Sequence, residues 1–145
     1  MTQDITSITR TLIPANERTN VAHQLFGSAF LRLETTVYHL ADSMAAEYNG
    51  GSWDFYLLSA GDRGQAFYMA PQREDDQPFT VACPNFWQGT LSADALGITA
   101  CLCAYSHLSF TQHSAAQRFA AEFHQLRDLM LTGHPEAMNI IGAID

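Results

Sequence analysis

The sequence predicts an α+β domain: a small antiparallel sheet of about three strands packed by about four helices, one of them fully buried at the centre. Three observations carry this. Short aromatic runs bounded by glycine and proline in the middle of the chain have the look of strands. Apolar residues recur at spacings of three and four on both sides of that region, which is the helical period. Between Ala93 and Leu108 every face of such a helix is apolar or small, and a helix apolar all round is enclosed on all sides.

The chain has 145 residues, a length that fits one domain. It divides into an N-terminal arm, residues 1–20, and a single domain, residues 21–145. The arm is polar and threonine-rich; its segment ITRTLIP can pair at a sheet edge, with Pro14 ending the strand. From Val21 to about Ala46, Leu25, Ala29, Leu33, Val37 and Leu40 give a helical stripe. Within it Gly27 costs some helix propensity, and the β-branched run Thr35-Thr36-Val37 is able to loosen or break the helix midway. Asn49-Gly50-Gly51 ends the helix, since these residues accept positive φ.

Trp53 to Ser59 and Gln65 to Ala70 form a hairpin around the five-residue turn Ala60 to Gly64. The charged loop Gln72 to Gln77 leads to a third strand candidate, Phe79 to Cys83, closed by Pro84. Ser92 is placed to cap the central helix, with Asp94 favourable in its first turn. Ala115 to Leu131 is an amphipathic helix with Phe119, Phe123, Leu126 and Met130 inward and Arg118 set to pair with Glu122. Pro135 opens a last short helix, Glu136 to Ile144.

Composition excludes several functions. Hydrophobic residues make up 47% of the chain and charged residues 15%, too little charge for a disordered chain. The formal net charge is −8, and all seven basic residues are arginine. A basic phosphate-binding patch is not expected, and neither is direct DNA binding. Extended DNA mimicry fails on magnitude: duplex DNA carries one charge per roughly 1.7 Å, so eight charges match only about 14 Å of it. The apolar stretch of the central helix is shorter than the about 20 residues a bilayer requires. The N-terminus lacks the basic-then-apolar order of a secretory signal, and three cysteines suit free thiols in a reducing cytoplasm.

No catalytic or cofactor-binding set stands out. Cys101 and Cys103, two apart, point about 200° from each other on a helix and make a poor metal pair. Cys103 and His107 share a face, but a metal site would need Cys83 or His124 to complete it. The expected alternative is small buried hydrophobes and one hydrogen-bonded histidine. Thiols among Leu, Ala and Ile are inert, so a cysteine nucleophile is not expected either. A small cytoplasmic enzyme using a thiol or histidine remains the competing reading, resting on Cys83, Cys103, His107 and His124. Neither a cofactor nor a metal is expected. Aromatic and polar residues beside the turns give a candidate interaction surface: Asn49, Trp53, Asp54, Asn85, Trp87 and the terminal Asp145. Trp53, Tyr56 and Trp87 can equally fill a small core.

Four strings carry a family resemblance: Asn49-Gly50-Gly51-Ser52-Trp53-Asp54-Phe55-Tyr56 followed by Phe67-Tyr68-Met69-Ala70-Pro71; Leu91-Ser92-Ala93-Asp94-Ala95-Leu96-Gly97-Ile98; His134-Pro135-Glu136-Ala137; and Ala143-Ile144-Asp145. In this order, from about Leu12 to the last residue, they resemble the antirestriction family ArdB/KlcA, most closely its ArdB branch. The resemblance implies a bacterial cytoplasmic protein, often encoded on plasmids and other mobile elements. Such a protein relieves restriction of unmodified incoming DNA by type I restriction–modification systems, without being an enzyme. Its implied partner is the type I complex or an associated host factor. It implies no catalytic residues; the motif positions Asn49, Gly50, Gly51, Trp53, Ser92, Asp94 and Asp145 are candidates only.

Overall fold

A computed structural model describes residues 7–145. The α+β class holds. Strand β1 (Thr9–Leu12), β2 (Trp53–Ser59) and β3 (Gln65–Pro71) form an antiparallel sheet in the order β1-β2-β3. A separate two-stranded sheet pairs β4 (Phe79–Ala82) with β5 (Gln88–Leu91). The helices are α1 (Arg18–Phe26), α2 (Phe30–Met44), α3 (Ala93–Ser109), α4 (Ala116–Gly133) and α5 (Ala137–Ile144). No helix among the described residues is long and apolar enough to cross a membrane.

The expected hairpin is present, with Trp53 opposite Pro71 and Ser59 opposite Gln65. Its third strand differs from expectation. Phe79–Ala82 does not join it; β1 does, from within the expected arm, with Thr9 opposite Ser59 and Leu12 opposite Tyr56. Ile13 N–H then donates to Phe55 O at 2.8 Å, just before Pro14 ends the pairing. The rest of the arm is mixed: α1 begins at Arg18, and residues 1–6 lie outside the described residues. Strand β5 went unread because Gln88-Gly89-Thr90-Leu91 is short and mostly exposed, with one buried side chain, Leu91.

The first expected helix is broken in two, and the break sits at Gly27, not at Thr35-Thr36. Gly27 has φ 57°, a left-handed conformation that ends α1. A short 3-10 turn, Gly27–Ala29, re-aims the chain into α2. The β-branched run survives because Val37 is fully buried and Thr36 Oγ1 donates to Arg32 O at 2.8 Å within the helix.

Helix α3 is the centre of the molecule, touching α2, α4, α5, β3 and β5. Its approach to β3 depends on Gly97: a Cβ there would lie 2.3 Å from Met69 O and 2.6 Å from Ala70 Cα. The outer edge of β3 has no strand partner among the described residues, and its backbone groups are taken up by side chains of the helices. Phe67 N–H donates to Glu122 Oε1 at 3.3 Å, Tyr105 Oη donates to Phe67 O at 2.7 Å, and Met69 N–H donates to Cys101 Sγ at 3.4 Å. Glu122 is therefore a buried residue, and it makes the expected ion pair with Arg118, whose Nε stands 3.8 Å away. Between sheet and helices Phe26, Phe55, Phe67, Tyr105 and Phe119 pack as an aromatic core, with Phe30 against them.

Candidate functional site

Three of the four motif strings meet in space. Ser92 caps α3, its Oγ accepting from Ala95 N–H at 3.1 Å. Glu136, forty-four residues on, embraces the same serine: Ser92 N–H donates to Oε1 at 2.9 Å and Ser92 Oγ–H donates to Oε2. His134 Nε2 lies 2.8 Å from Asp94 Oδ2, while its Nδ1 accepts from Glu136 N–H at 3.0 Å. That acceptor role places the ring proton on Nε2, where it is donated to Asp94.

Asp94 is the hub. Its Oδ1 accepts from Tyr68 Oη at 2.6 Å and from the guanidinium of Arg10 on β1. Burial pushes the Asp94 carboxyl up, but the hydrogen bonds from His134 and Tyr68 and the charge of Arg10 outweigh it and hold it below the usual carboxylate range. Tyr68 is raised, first by burial and then by Asp94. The Arg10 guanidinium also stands 4.5 Å over the Tyr56 ring. Open clefts flank the hub on both sides, one of about 370 Å³ reaching Asp54, Gln72 and Arg73, the other of about 340 Å³ bounded by His134 and Glu136. Arg10, Tyr68 and His134 were missed as site residues. The signal available was that Tyr68 and His134, like Asp94, each lie in one of the motif strings.

The six candidate interaction residues fall into two groups and one exception. Trp53 is the exception: it is 4% exposed, packs against Tyr38 and Tyr48, and donates its Nε1–H to Tyr48 Oη at 3.0 Å. It belongs to the core, because strand alternation turns it inward with Phe55. Its neighbour Asp54 faces the first cleft, accepting from Arg18 at 3.1 Å and Gln72 at 2.9 Å. Asn49 is exposed nearby, before Gly50 and Gly51 at φ 92° and 98°, and with Gln72 and Arg73 lines a further open depression.

The second group gathers at the chain end. Asn85 Nδ2 donates to Gly142 O at 2.9 Å, and its Oδ1 accepts from Trp87 N–H at 3.0 Å. Half-buried Trp87 lies so close to α5 that a Cβ on Gly142 would stand 2.5 Å from its Nε1. Asp145 is exposed at the end of this helix.

The cysteines offer no activated thiol. Burial pushes Cys101 up to about 12 and Cys103 up to about 11, and raises Cys83 as well. His107 and His124 are exposed, which corrects the expectation that His107 is held within the core. Among the described residues no group of three or more His, Cys, Asp or Glu side chains is placed to hold a metal ion.

Comparison with known proteins places the chain. The family described as "Antirestriction protein" matches residues 46–145. Antirestriction protein KlcA of Escherichia coli is 35% identical over 141 residues, covering 95% of each chain. An uncharacterized protein of Escherichia coli K12, YafX, is 33% identical over 141 residues, covering 95% of this chain and 88% of YafX. A solved structure from work on KlcA and ArdB has a TM-score of 0.82 at 33% identity and covers 100% of both chains. Those two proteins are described as having a novel fold and antirestriction activity against type I DNA restriction systems in vivo but not in vitro. With its sequence matched over nearly its full length and its fold over all of it, the chain belongs to the antirestriction protein family.

Proposed function

We propose that this protein relieves type I restriction of unmodified incoming DNA inside the bacterial cytoplasm, and that it does so by protein–protein contact. The observation that carries the reading is the likeness to the KlcA and ArdB proteins over the whole chain. Their activity in vivo but not in vitro supports a requirement for something that only the cell supplies. The direct partner is accordingly the type I restriction–modification complex in its cellular state, or a host factor on which that complex depends.

The charge distribution supports contact over DNA mimicry. A net charge of −8 is modest, and two of the carboxylates on the cleft side, Asp54 and Asp94, are already neutralised by Arg18 and Arg10. The absence of lysine opposes direct DNA binding. The raised cysteine pKa values oppose the competing thiol-enzyme reading.

The contact surface is assigned to one of the two groups: exposed Asn49 with half-buried Asp54 beside the cleft, or exposed Asn85 and Asp145 with half-buried Trp87 at the chain end. Plating unmodified phage on cells carrying a type I system, with and without this gene, tests the function. Restored plaque numbers with host methylation intact are expected. Unchanged plaque numbers with folded protein present would overturn the reading.

A further inference from the structure

The turn between α2 and β2 exposes an Asn-Gly step that little holds in place. Asn49 is exposed, and Gly50 and Gly51 follow it at φ 92° and 98°. Backbone hydrogen bonds tie the chain on either side, from Tyr48 N–H to Ala45 O at 3.3 Å and from Gln72 N–H to Ser52 O at 2.9 Å. Between them, among the described residues, neither the Asn49 side-chain amide nor the Gly50 N–H has a hydrogen-bond partner. Glycine leaves the nitrogen unshielded and lets the backbone swing, since it has no Cβ.

The other four asparagines lack this arrangement. Asn16, Asn85 and Asn139 precede Glu17, Phe86 and Ile140, bulky residues whose backbone N–H groups already donate to Pro14 O, Cys83 O and Glu136 O. The Asn85 amide is itself engaged, by Gly142 O and Trp87 N–H. Asn20 lies inside α1 with Val21 behind it.

We infer that Asn49 is a site of spontaneous covalent modification, at which the native chain deamidates with water as the co-reactant. The Gly50 nitrogen gives up its proton and attacks Asn49 Cγ. The N–Cγ bond forms, the Cγ–Nδ2 bond breaks, and ammonia leaves with that proton. Water then opens the cyclic imide. Cleavage of the new N–Cγ bond yields aspartate; cleavage at the main-chain carbonyl yields isoaspartate, with Cβ inserted into the backbone. Nothing is oxidised or reduced. Either product puts a carboxylate on a depression already bordered by Glu47, Glu74 and Asp75, where like charges repel. On the contact reading above, it also replaces the amide that the cleft-side group presents.

Peptide mapping of the folded protein, incubated at mildly alkaline pH, tests the site. The chain has no lysine, so trypsin releases the fragment Leu33–Arg63, in which Asn49 is the sole side-chain amide. Its mass is expected to rise with time by the exchange of NH₂ for OH, and faster at higher pH, because the attacking nitrogen must lose its proton. Two products should separate, one of them labelled by an isoaspartyl methyltransferase. The Asn49→Gln protein, whose longer side chain would have to close a larger ring, should keep its fragment mass. An unchanged wild-type fragment would overturn the inference, as would conversion of Asn85 or Asn139 at the same rate. The readout is chemical, so it stands or falls separately from relief of restriction.

Discussion

Asp94 and His134, forty residues apart, meet at 2.8 Å, and the proton between them is fixed on the histidine because Glu136 N–H occupies the other ring nitrogen. This contact, with the embrace of Ser92 by Glu136, joins the start of the central helix to the segment that launches the last one. Arg10 brings β1 to the same carboxylate.

Replacing Asp94 by Asn removes the charge that these three donors share and presents an amide N–H₂ to at least one of them. A loss of about 2 kcal/mol is expected, in the range for hydrogen bonds to charged groups. Urea unfolding should show a lower midpoint with an unchanged slope; a midpoint equal to the wild type would show that the hub is not structural.

Two buried carboxylates, Asp94 and Glu122, act on stability in opposite directions with pH. Asp94 is held below its unfolded value of about 3.9. Its contribution is present above that pH and is lost as pH falls through the folded pKa. Glu122 is raised by burial, only partly offset by Phe67 N–H and Arg118. Its protonated form favours the fold, so stability is lost as pH rises from about 4.3 through the raised value. Glu122→Gln keeps an oxygen for Phe67 N–H and removes the titration. Its stability relative to wild type should therefore improve as pH rises across this range. Parallel stability–pH curves for the two proteins would contradict this.

Gly97→Ala is expected to cost roughly 3 kcal/mol or more, at the upper end of overpacking penalties. The added carbon meets backbone atoms of Met69 and Ala70, which cannot swing aside as a side chain can. Thermal unfolding followed by circular dichroism measures it; an unchanged midpoint would show that α3 can draw back from β3.

Asp145→Asn separates contact from stability where Trp53→Ala cannot. Asp145 is exposed, so its substitution should stay within about 0.5 kcal/mol of wild-type stability. Trp53→Ala empties a core site and should cost about 3–5 kcal/mol. If the chain end forms the contact surface, Asp145→Asn lowers plaque recovery while unfolding is unchanged. Full recovery would move the surface to the Asn49 and Asp54 corner.

Elements with a strong period were legible in the sequence. The hairpin, α3 with its Ser92 cap and the extent of α4 were readable because apolar spacing and turn residues agree locally. Breakage at Gly27 competed with a β-branched run, and propensity pointed to the wrong one: tertiary burial of Val37 holds the helix through Thr36, whereas Gly27 adopts a backbone few other residues tolerate. That β1 can pair at a sheet edge and ends at Pro14 was legible in ITRTLIP; which strand it pairs with was not, because pairing between residues fifty apart leaves no local trace and β1 has no buried face. The Asp94 hub was half visible. Its motif strings were in view, but a dipole-favouring aspartate and a proline-adjacent histidine each have adequate local explanations, and only the fold brings them together.

Capping of the β3 edge by Glu122, Tyr105 and Cys101 has a consequence for assembly in the crowded cell. Indefinite strand-by-strand polymerisation needs a template at both ends of every sheet. On this sheet one end is plugged by its own helices, leaving β1 as the open edge among the described residues. Two such sheets can meet edge to edge, but a third finds no place to add, so this sheet acts as a chain terminator for fibre growth.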